Sequence, residues 1–171
     1  MTLTQFPLRY VPKTLSKKDK KTLIAMLNKS KKLYKKHTYY TRKRVPSYSN
    51  KISNHIVRAR KIYDIENITP TTELAQKTGC KLSALQQIVK KGEGAYYSSG
   101  SRPNQTPQSW GLARLASAIT SGKAAAIDYD IIDNGCNHKK MAFKLATKSK
   151  KTYGYRKTPK TLPVTVGHLQ S

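Results

Sequence analysis

The stretch 69-TPTTELAQKTGCKLSALQQIVKKG-92 holds two short apolar stripes on either side of a glycine. Thr71 or Thr72 can cap a short helix that carries Leu74 and Ala75, and Gly79 can make the turn after it. The inner face of the second helix is then formed by Leu82, Leu85, Ile88 and Val89. This spacing predicts a helix-turn-helix-like pair.

The second helix of this pair has a polar face that suits DNA reading. Its members are Lys81, Ser83, Gln86, Gln87 and Lys90. The same geometry is also a general way to pack two helices, and this part of the chain is neutral in charge. We therefore favour a packing role for this helix pair and keep sequence-specific DNA reading as a less favoured hypothesis.

The next stretch, 90-KKGEGAYYSSGSRPNQTPQSWGLARLASAITSG-122, predicts a low-charge turn followed by a helix. Gly92, Gly94, Gly100 and Pro103 are expected to break the chain between 92 and 106. Thr106 is a suitable N-cap and Pro107 a suitable first residue for a helix that Gly122 ends.

Several residues of this centre are predicted to have structural roles. Trp110 and Tyr96 are expected to fill the space beside the helix pair, and Arg102 and Arg114 to bond loop carbonyls or Glu93. The full structural set is Gly79, Gly94, Tyr96, Arg102, Trp110 and Arg114.

Helical patterns continue on both sides of the centre. Ser16 with Asp19 resembles a capping box, with Asp in place of the usual Glu. Apolar residues then recur at helical spacing through residues 20–37: Leu23, Ile24, Leu27 and Tyr34. Shorter helices are predicted at 51–63 and 137–147. The fold class is therefore mainly α: a small helical domain containing a helix-turn-helix-like pair, with extended basic N- and C-terminal arms.

Charge divides the chain into three segments. Residues 1–63 hold eighteen Lys and Arg and one acid, residues 64–135 hold seven of each, and residues 136–171 hold nine basic residues and no acid. The overall formal charge of +26 points to a polyanionic or acidic partner. We therefore predict a basic N-terminal arm with amphipathic helices (1–63), a neutral helical core (64–135) and a basic C-terminal helix with an extended tail (136–171).

The ends of the chain combine proline, cations and scattered apolar side chains, which suits contact with a partner. The predicted partner-binding residues are Phe6, Leu8, Tyr10, Arg42, Lys43, Arg44, Tyr155, Arg156, Leu162 and Val164. Tyrosines among arginines and lysines around residue 40 could stack on bases or lie in a protein interface, and composition does not separate these two interpretations.

Other features narrow the class of protein. Two cysteines, Cys80 and Cys136, favour a reducing compartment and leave one bridge open. No apolar run is long enough to cross a bilayer. Eight acids and four histidines form no catalytic or metal-binding pattern, so we expect neither an enzyme nor a cofactor, and the aspartates near residue 130 are expected to balance nearby cations.

The segment from Thr69 to Ile132 resembles an uncharacterised family of small basic proteins from nucleocytoplasmic large DNA viruses of the chlorella-virus type and some phages. The resemblance rests on GSRPNQT (100–106), WGLAR (110–114) and ITSGKA (119–124), and it covers roughly a third of the chain. It implies a viral origin and no catalytic residues. Similarity to virion proteins of such viruses implies a minor capsid protein on the inner face of the shell, assembled in the host cytoplasm.

Two functions are weighed on this basis. The first is a minor capsid or cement protein whose arms tie neighbouring capsid proteins together through acidic surfaces. The alternative is a virion protein that condenses viral DNA without sequence specificity. Apolar anchors in the arms favour a protein groove, because phosphate contacts need only cations and hydrogen-bond donors.

Overall fold

A computed structural model of the chain describes residues 5–155 and the backbone of residues 163–165. The protein is mainly α, as predicted. Its described helices are α1 (Lys17–Tyr34), α2 (Asn54–Tyr63), α3 (Thr72–Thr78), α4 (Leu82–Ser98), α5 (Pro107–Ala118), α6 (Lys123–Ile127), α7 (Tyr129–Gly135) and α8 (Met141–Tyr153). Two short strands, β1 (Gln5–Pro7) and β2 (Pro163–Thr165), pair antiparallel with Phe6 opposite Val164.

The chain forms two compact units that do not follow the predicted segments. Unit 1 comprises Met1–Lys51, Gly94–Pro107 and Lys160–Ser171, and unit 2 comprises Ile52–Glu93 and Gln108–Pro159. The predicted boundaries at 63/64 and 135/136 fall inside unit 2. Contacts in space, rather than charge along the chain, define the units.

Unit 1 contains α1, both strands and the C-terminal end of α4. Ser16 caps α1 by accepting a hydrogen bond from the amide of Asp19, as the sequence predicts. One face of α1 is buried through Leu23, Ile24 and Leu27. The N-terminal residues Phe6, Tyr10, Val11 and Leu15 are buried as well.

The burial of the N-terminal segment corrects the prediction of an extended arm. Phe6 is fully buried beneath the ammonium group of Lys31, which lies 4.7 Å from the ring centroid. Tyr10 lies beside Gly100, whose φ of +116° is accessible mainly to glycine. Phe6 and Tyr10, which were assigned to a partner, therefore stabilise the chain's own fold, because burying them removes apolar surface from water, whereas Leu8 stays exposed.

Unit 2 is built on the predicted helix-turn-helix-like pair. Thr71 caps α3, and Gly79 ends it with φ +78°. Leu85 and Ile88 of α4 are fully buried in a core that also contains Leu74, Leu115 and Ile132. The pair is confirmed as a packing unit.

Helix α4 runs through the glycines that were expected to break it. Gly92 and Gly94 both lie inside α4, so the predicted turn from 92 to 106 shrinks to residues 99–106. Gly92 has a packing role instead: a Cβ built there would lie 2.6 Å from the Cα of Gly111 on α5. A Cβ on Gly111 would in turn lie 2.6 Å from the carbonyl oxygen of Val89. These two glycines let the backbones of α4 and α5 approach closely.

The two aromatic residues assigned to the centre behave differently. Tyr96 is fully buried in unit 1. Trp110, on α5 in unit 2, is half-buried and lies outside the core cluster, which corrects its assignment as a core filler. The unit 2 core cluster consists mostly of alanine and aliphatic side chains, together with Tyr63 and Tyr129.

The turn after α5 does not use Gly122 for its left-handed residue. Ser121, and not Gly122, adopts the left-handed conformation with φ +57°. Gly122 is required for space, because a Cβ there would lie 2.3 Å from Oγ of Ser117. The carbonyl oxygen of Gly122 also accepts a hydrogen bond of 2.6 Å from Ser149 on α8.

A buried carboxylate connects three parts of unit 2. Asp128 is 1% exposed and accepts two hydrogen bonds from Arg114, at 2.7 and 2.8 Å, and one from Lys91 at 2.9 Å. The expected balance of this aspartate by nearby cations is therefore observed. Arg114 has the predicted structural role, but its partner is Asp128 rather than Glu93 or a loop carbonyl.

A disulfide joins Cys80 to Cys136 across an isolated antiparallel bridge. On either side of it, the amide of Lys81 donates to the carbonyl of Gly135 and the amide of Asn137 to that of Gly79, both at 2.7 Å. The bridge that the sequence left open thus links the helix-turn-helix turn to the end of α7. In the described part of the chain, no helix has the length and apolarity to span a membrane.

Substitution of the two glycines of α4 tests the helix contact. Gly92→Ala is expected to lower the free energy of unfolding by about 1–3 kcal/mol, because its methyl group collides with the α5 backbone. Gly94→Ala is the matched control. A Cβ there meets nothing within 4 Å, so alanine is expected to raise the free energy of unfolding by about 0.5–1 kcal/mol. Urea denaturation measures both changes, and equal effects would contradict the proposed contact.

Candidate functional site

The exposed face of α1 carries a stripe of lysines. Lys18, Lys21, Lys29 and Lys32 are exposed and recur at spacings that place them on one side of the helix, opposite the buried Leu23 face. At 1.5 Å per residue the stripe is about 21 Å long, which matches the axial length of about six nucleotides of one DNA strand. We call these four residues the lysine stripe.

Unit 1 has almost no negative charge to neutralise this face. Its sequence contains seventeen Lys and Arg and one acid, Asp19, so its formal net charge is +16. Asp19 is buried, and hydrogen bonds from the hydroxyl and amide of Ser47 lower the pKa of its carboxyl group. This carboxylate is held inside the unit, where it supports the connector that follows α1 (residues 35–51).

The end of α1 turns the chain into this connector. His37 adopts a left-handed conformation, with φ +58°. The amide of Thr38 donates to the carbonyl of Leu33 and the amide of His37 to that of Tyr34, at 2.9 and 3.0 Å. This arrangement is a Schellman motif with histidine where glycine is usual. It brings Tyr39 back beside the last turn of the helix.

A cluster of tyrosines lies at this turn. The ring centroids of Tyr39 and Tyr34 are 6.2 Å apart, and those of Tyr39 and Tyr97 are 5.0 Å apart. Tyr97 in turn meets the edge of Tyr96 at 5.3 Å. Tyr39 is 66% exposed and Tyr34 36% exposed, whereas Tyr96 is buried. We call Tyr34, Tyr39 and Tyr97 the tyrosine cluster.

The cluster is supported from inside by a buried arginine. The guanidinium carbon of Arg42 lies 3.8 Å from the centroid of the Tyr96 ring. Its nitrogens donate to Oγ of Ser30, to the carbonyl of Tyr96 and to Oγ of Ser101, each at 2.9 Å. The amide of Arg42 also donates to the hydroxyl of Tyr96 at 2.8 Å. Burial lowers the pKa of the guanidinium group and raises that of the Tyr96 phenol.

The loop between α4 and α5 holds the connector from the other side. The side-chain oxygen of Asn104 accepts from the amide of Val45 at 2.7 Å, and its nitrogen donates to the carbonyls of Val45 and Tyr48. Sequence reasoning missed Asn104, Ser101 and Ser30. The signal that could have found Asn104 is its position after proline in GSRPNQT, where a side chain that tolerates positive φ is favoured. Its φ is +60°.

Residues 7–135 match a family of unknown function, DUF5824. The chain belongs to this family. Searches of curated proteins and of solved structures find no match. The match includes the lysine stripe, the connector and the tyrosine cluster, so these features lie within the DUF5824 region and not in an appendage to it. The viral origin implied by the narrower resemblance over residues 69–132 stays a prediction.

The structure sorts the predicted partner-binding residues of this DUF5824 member into three groups. Phe6, Tyr10 and Arg42 are buried, which corrects their assignment to a partner surface. Leu8, Lys43, Arg44 and Tyr155 are exposed. Arg156 and Leu162 lie outside the described residues, and Val164 is described only through its backbone in β2.

One of the exposed partner-binding residues, Tyr155, has a contact within the chain. The hydroxyl of Tyr155 donates to the carboxylate of Asp130. Arg102, assigned a structural role, is exposed in the loop between α4 and α5. Of the exposed partner-binding residues, only Lys43 and Arg44 lie in the connector, which contributes Tyr39 to the tyrosine cluster. The structure therefore brings together a small part of the predicted set.

The polar face of α4 in the helix-turn-helix-like pair is exposed at Ser83, Gln86, Gln87 and Lys90, and Lys81 just before the helix is exposed as well. A cleft of about 720 Å³ lies beside it, lined on its other side by Asp130, Ile131 and Asn134. The negative charge of Asp130 at this edge opposes phosphate binding. Sequence-specific DNA reading stays a prediction with no contact in its favour.

Replacement of Arg42 tests its structural role in this member of the family. Arg42→Ala is expected to lower the free energy of unfolding by about 3 kcal/mol, because it removes three hydrogen bonds and the contact with the Tyr96 ring. The adjacent, exposed Lys43→Ala is the control and should change the value by less than about 0.5 kcal/mol. Chemical denaturation of the two variants measures the difference. Equal stability would show that Arg42 is dispensable for the fold.

Proposed function

We propose that this protein binds nucleic acid through its phosphate backbone, without reading sequence, and that the lysine stripe of unit 1 is the principal contact. One observation carries the proposal. Unit 1 has a formal net charge of +16, and its single acid, Asp19, is hydrogen-bonded to Ser47 within the unit. Cations that have no acidic neighbours in their own unit are available to bind phosphates. Their binding displaces the counterions that are condensed on the nucleic acid, and this release drives association.

The burial of the N-terminal apolar residues changes the balance between the two functions considered from the sequence. Anchors in an arm were the reason to favour a protein groove as the partner. Three of these N-terminal side chains are buried in the protein: Phe6, Tyr10 and Val11. The exposed surface of α1 is cationic. Phosphate needs only cations and donors, so the geometry favours nucleic acid over a protein groove at this face.

Stiffness adds to this argument. The stripe lies on a helix of 18 residues whose opposite face is packed, so its spacing is fixed before binding. Lysine side chains lose conformational entropy at each contact, but the backbone of the folded helix is already ordered and adds little further entropic cost. A surface of this kind binds any polyanion whose charges follow a line of similar length.

Neutralisation of the stripe tests the proposal. We expect Lys18→Gln/Lys21→Gln/Lys29→Gln/Lys32→Gln to weaken binding to a duplex of about 20 base pairs and to lower the slope of log K against log salt by about 3 to 4. Fluorescence anisotropy over a salt series measures both quantities.

A matched variant on unit 2 is the control. Lys139→Gln/Lys144→Gln/Lys148→Gln/Lys151→Gln removes the same charge from exposed positions at and beside α8. It should leave most of the slope unchanged. An equal loss in both variants would show that net charge alone, and not the stripe, controls binding.

A structural role in a virion is the second candidate, and the exposed apolar residues of unit 2 favour it. Ile52 and Val57 are 65% and 48% exposed, and such side chains suit a protein partner better than a phosphate. If the chain is a capsid component, it should remain in emptied, DNA-free shells when virus particles are stripped in graded salt. Departure with the genome would instead support the nucleic-acid role.

A further inference from the structure

The tyrosine cluster is not explained by phosphate binding alone. Phosphate contacts need no aromatic surface, yet Tyr39 exposes two thirds of its area to solvent. The plane of the Tyr39 ring is tilted by 52° to the plane of the Tyr34 ring and by 46° to that of the Tyr97 ring, so neither neighbour lies flat on Tyr39. An aromatic face is therefore left open at the surface.

The position of this face is fixed by the surrounding structure. Tyr97 packs on Tyr96, and Tyr96 is held by Arg42. Ser30 of α1 donates to the carbonyl of Tyr97 at 3.0 Å, which ties the cluster to the helix. The Schellman turn at His37 sets the direction of the chain into Tyr39. A ring held in this way loses little entropy when a ligand stacks on it.

Cations surround the cluster along the chain. Lys35 and Lys36 precede Tyr39 and are exposed, and Lys43 and Arg44 follow it and are also exposed. Lys29, a member of the lysine stripe, lies 4.5 Å from the centroid of the neighbouring Tyr40 ring. Tyr34 lies on the Leu27 face of α1 rather than on the face of the stripe, so it is the contact of Lys29 with Tyr40 that brings the stripe to the residue next to Tyr39 in the chain. This combination of cations and open rings is the one that binds single-stranded nucleic acid.

We propose that the tyrosine cluster stacks on unpaired bases, so that the protein binds single-stranded nucleic acid more tightly than duplex. This inference rests on the proposed function, since the lysine stripe supplies the phosphate contacts. In a duplex the bases are already stacked on one another, and only the stripe can act. In a single strand the cluster adds contacts to the bases.

Charge complementarity selects this ligand over a protein. Tyrosines also occur at protein interfaces, but here the one acidic side chain of unit 1 is buried. A protein partner would need a strongly acidic surface to approach the same face. Nucleic acid supplies both the negative charge and the flat aromatic groups.

The test separates base stacking from phosphate contact. Anisotropy measures binding of three probes of about 20 units each: an oligothymidylate, an abasic phosphodeoxyribose strand and a DNA duplex. The native chain should bind the oligothymidylate about tenfold more tightly than the abasic strand. Tyr39→Ala should reduce this ratio to below about twofold, and Tyr39→Phe should retain it because the ring remains.

Each outcome has a distinct meaning. If the native chain binds all three probes equally, the stacking inference is wrong and the phosphate-binding function stands. If it binds none of them, the proposed function itself fails. If Tyr39→Ala weakens binding to the thymidylate and abasic strands by the same factor, the tyrosine supports the surface and does not stack.

Two control measurements test for loss of folding and for binding of an acidic protein. Urea denaturation should show Tyr39→Ala folded and unfolding at a midpoint close to that of the native chain, because the side chain is largely exposed and only its ring contacts with Tyr34 and Tyr97 are lost. A polyglutamate peptide of similar length should compete weakly with the oligothymidylate. Competition as strong as that of the oligothymidylate itself, lost equally in Tyr39→Ala, would assign the surface to an acidic protein and overturn the inference.

Discussion

Unit 1 depends on the burial of one positive charge. Arg42 is the only cationic side chain that is buried in residues 5–155, and no carboxylate lies against it. Arginine cannot lose its proton to escape the cost of desolvation, so its donors must be satisfied within the protein. Three oxygens and the face of Tyr96 provide that satisfaction. They come from α1, from the end of α4 and from the loop after it, and the arginine holds these parts to the connector.

Unit 1 is compact despite a formal charge of +16 because Arg42 is its one buried cation in the described residues. The remaining described cations of unit 1 lie at or near the surface, where water screens their mutual repulsion to small values. The interior is apolar apart from Arg42, Asp19 and the hydroxyl and carbonyl groups they contact. The unit therefore tolerates its charge because it separates the cations from the core. That separation also leaves the cations available to an anion.

Unit 2 depends instead on close packing between helix backbones. Gly92 and Gly111 allow α4 and α5 to meet backbone to backbone, and Gly122 allows the next turn to close over Ser117. The core that results is rich in alanine and aliphatic residues, with Asp128 as its buried ionic centre. These contacts are long-range in sequence. A glycine that fills such a role looks the same in sequence as one that makes a turn, which is why two glycines within α4 were assigned to a loop.

Local chemistry alone determined most of the longer helices but not the C-terminal part of α4, nor α6 and α7. It also determined several helix ends: Ser16 and Thr71 as caps, Gly79 as the turn, Pro107 as a first helical residue, and the basic face of α1. These features depend on residues close in sequence, so their pattern is sufficient. Tertiary structure decided the rest. It buried Phe6, Tyr10 and Arg42, placed Asn104 against the connector, and brought Tyr34, Tyr39 and Tyr97 together. Each of these depends on contacts between residues distant in sequence or on the direction of a turn, and neither composition nor periodicity records them.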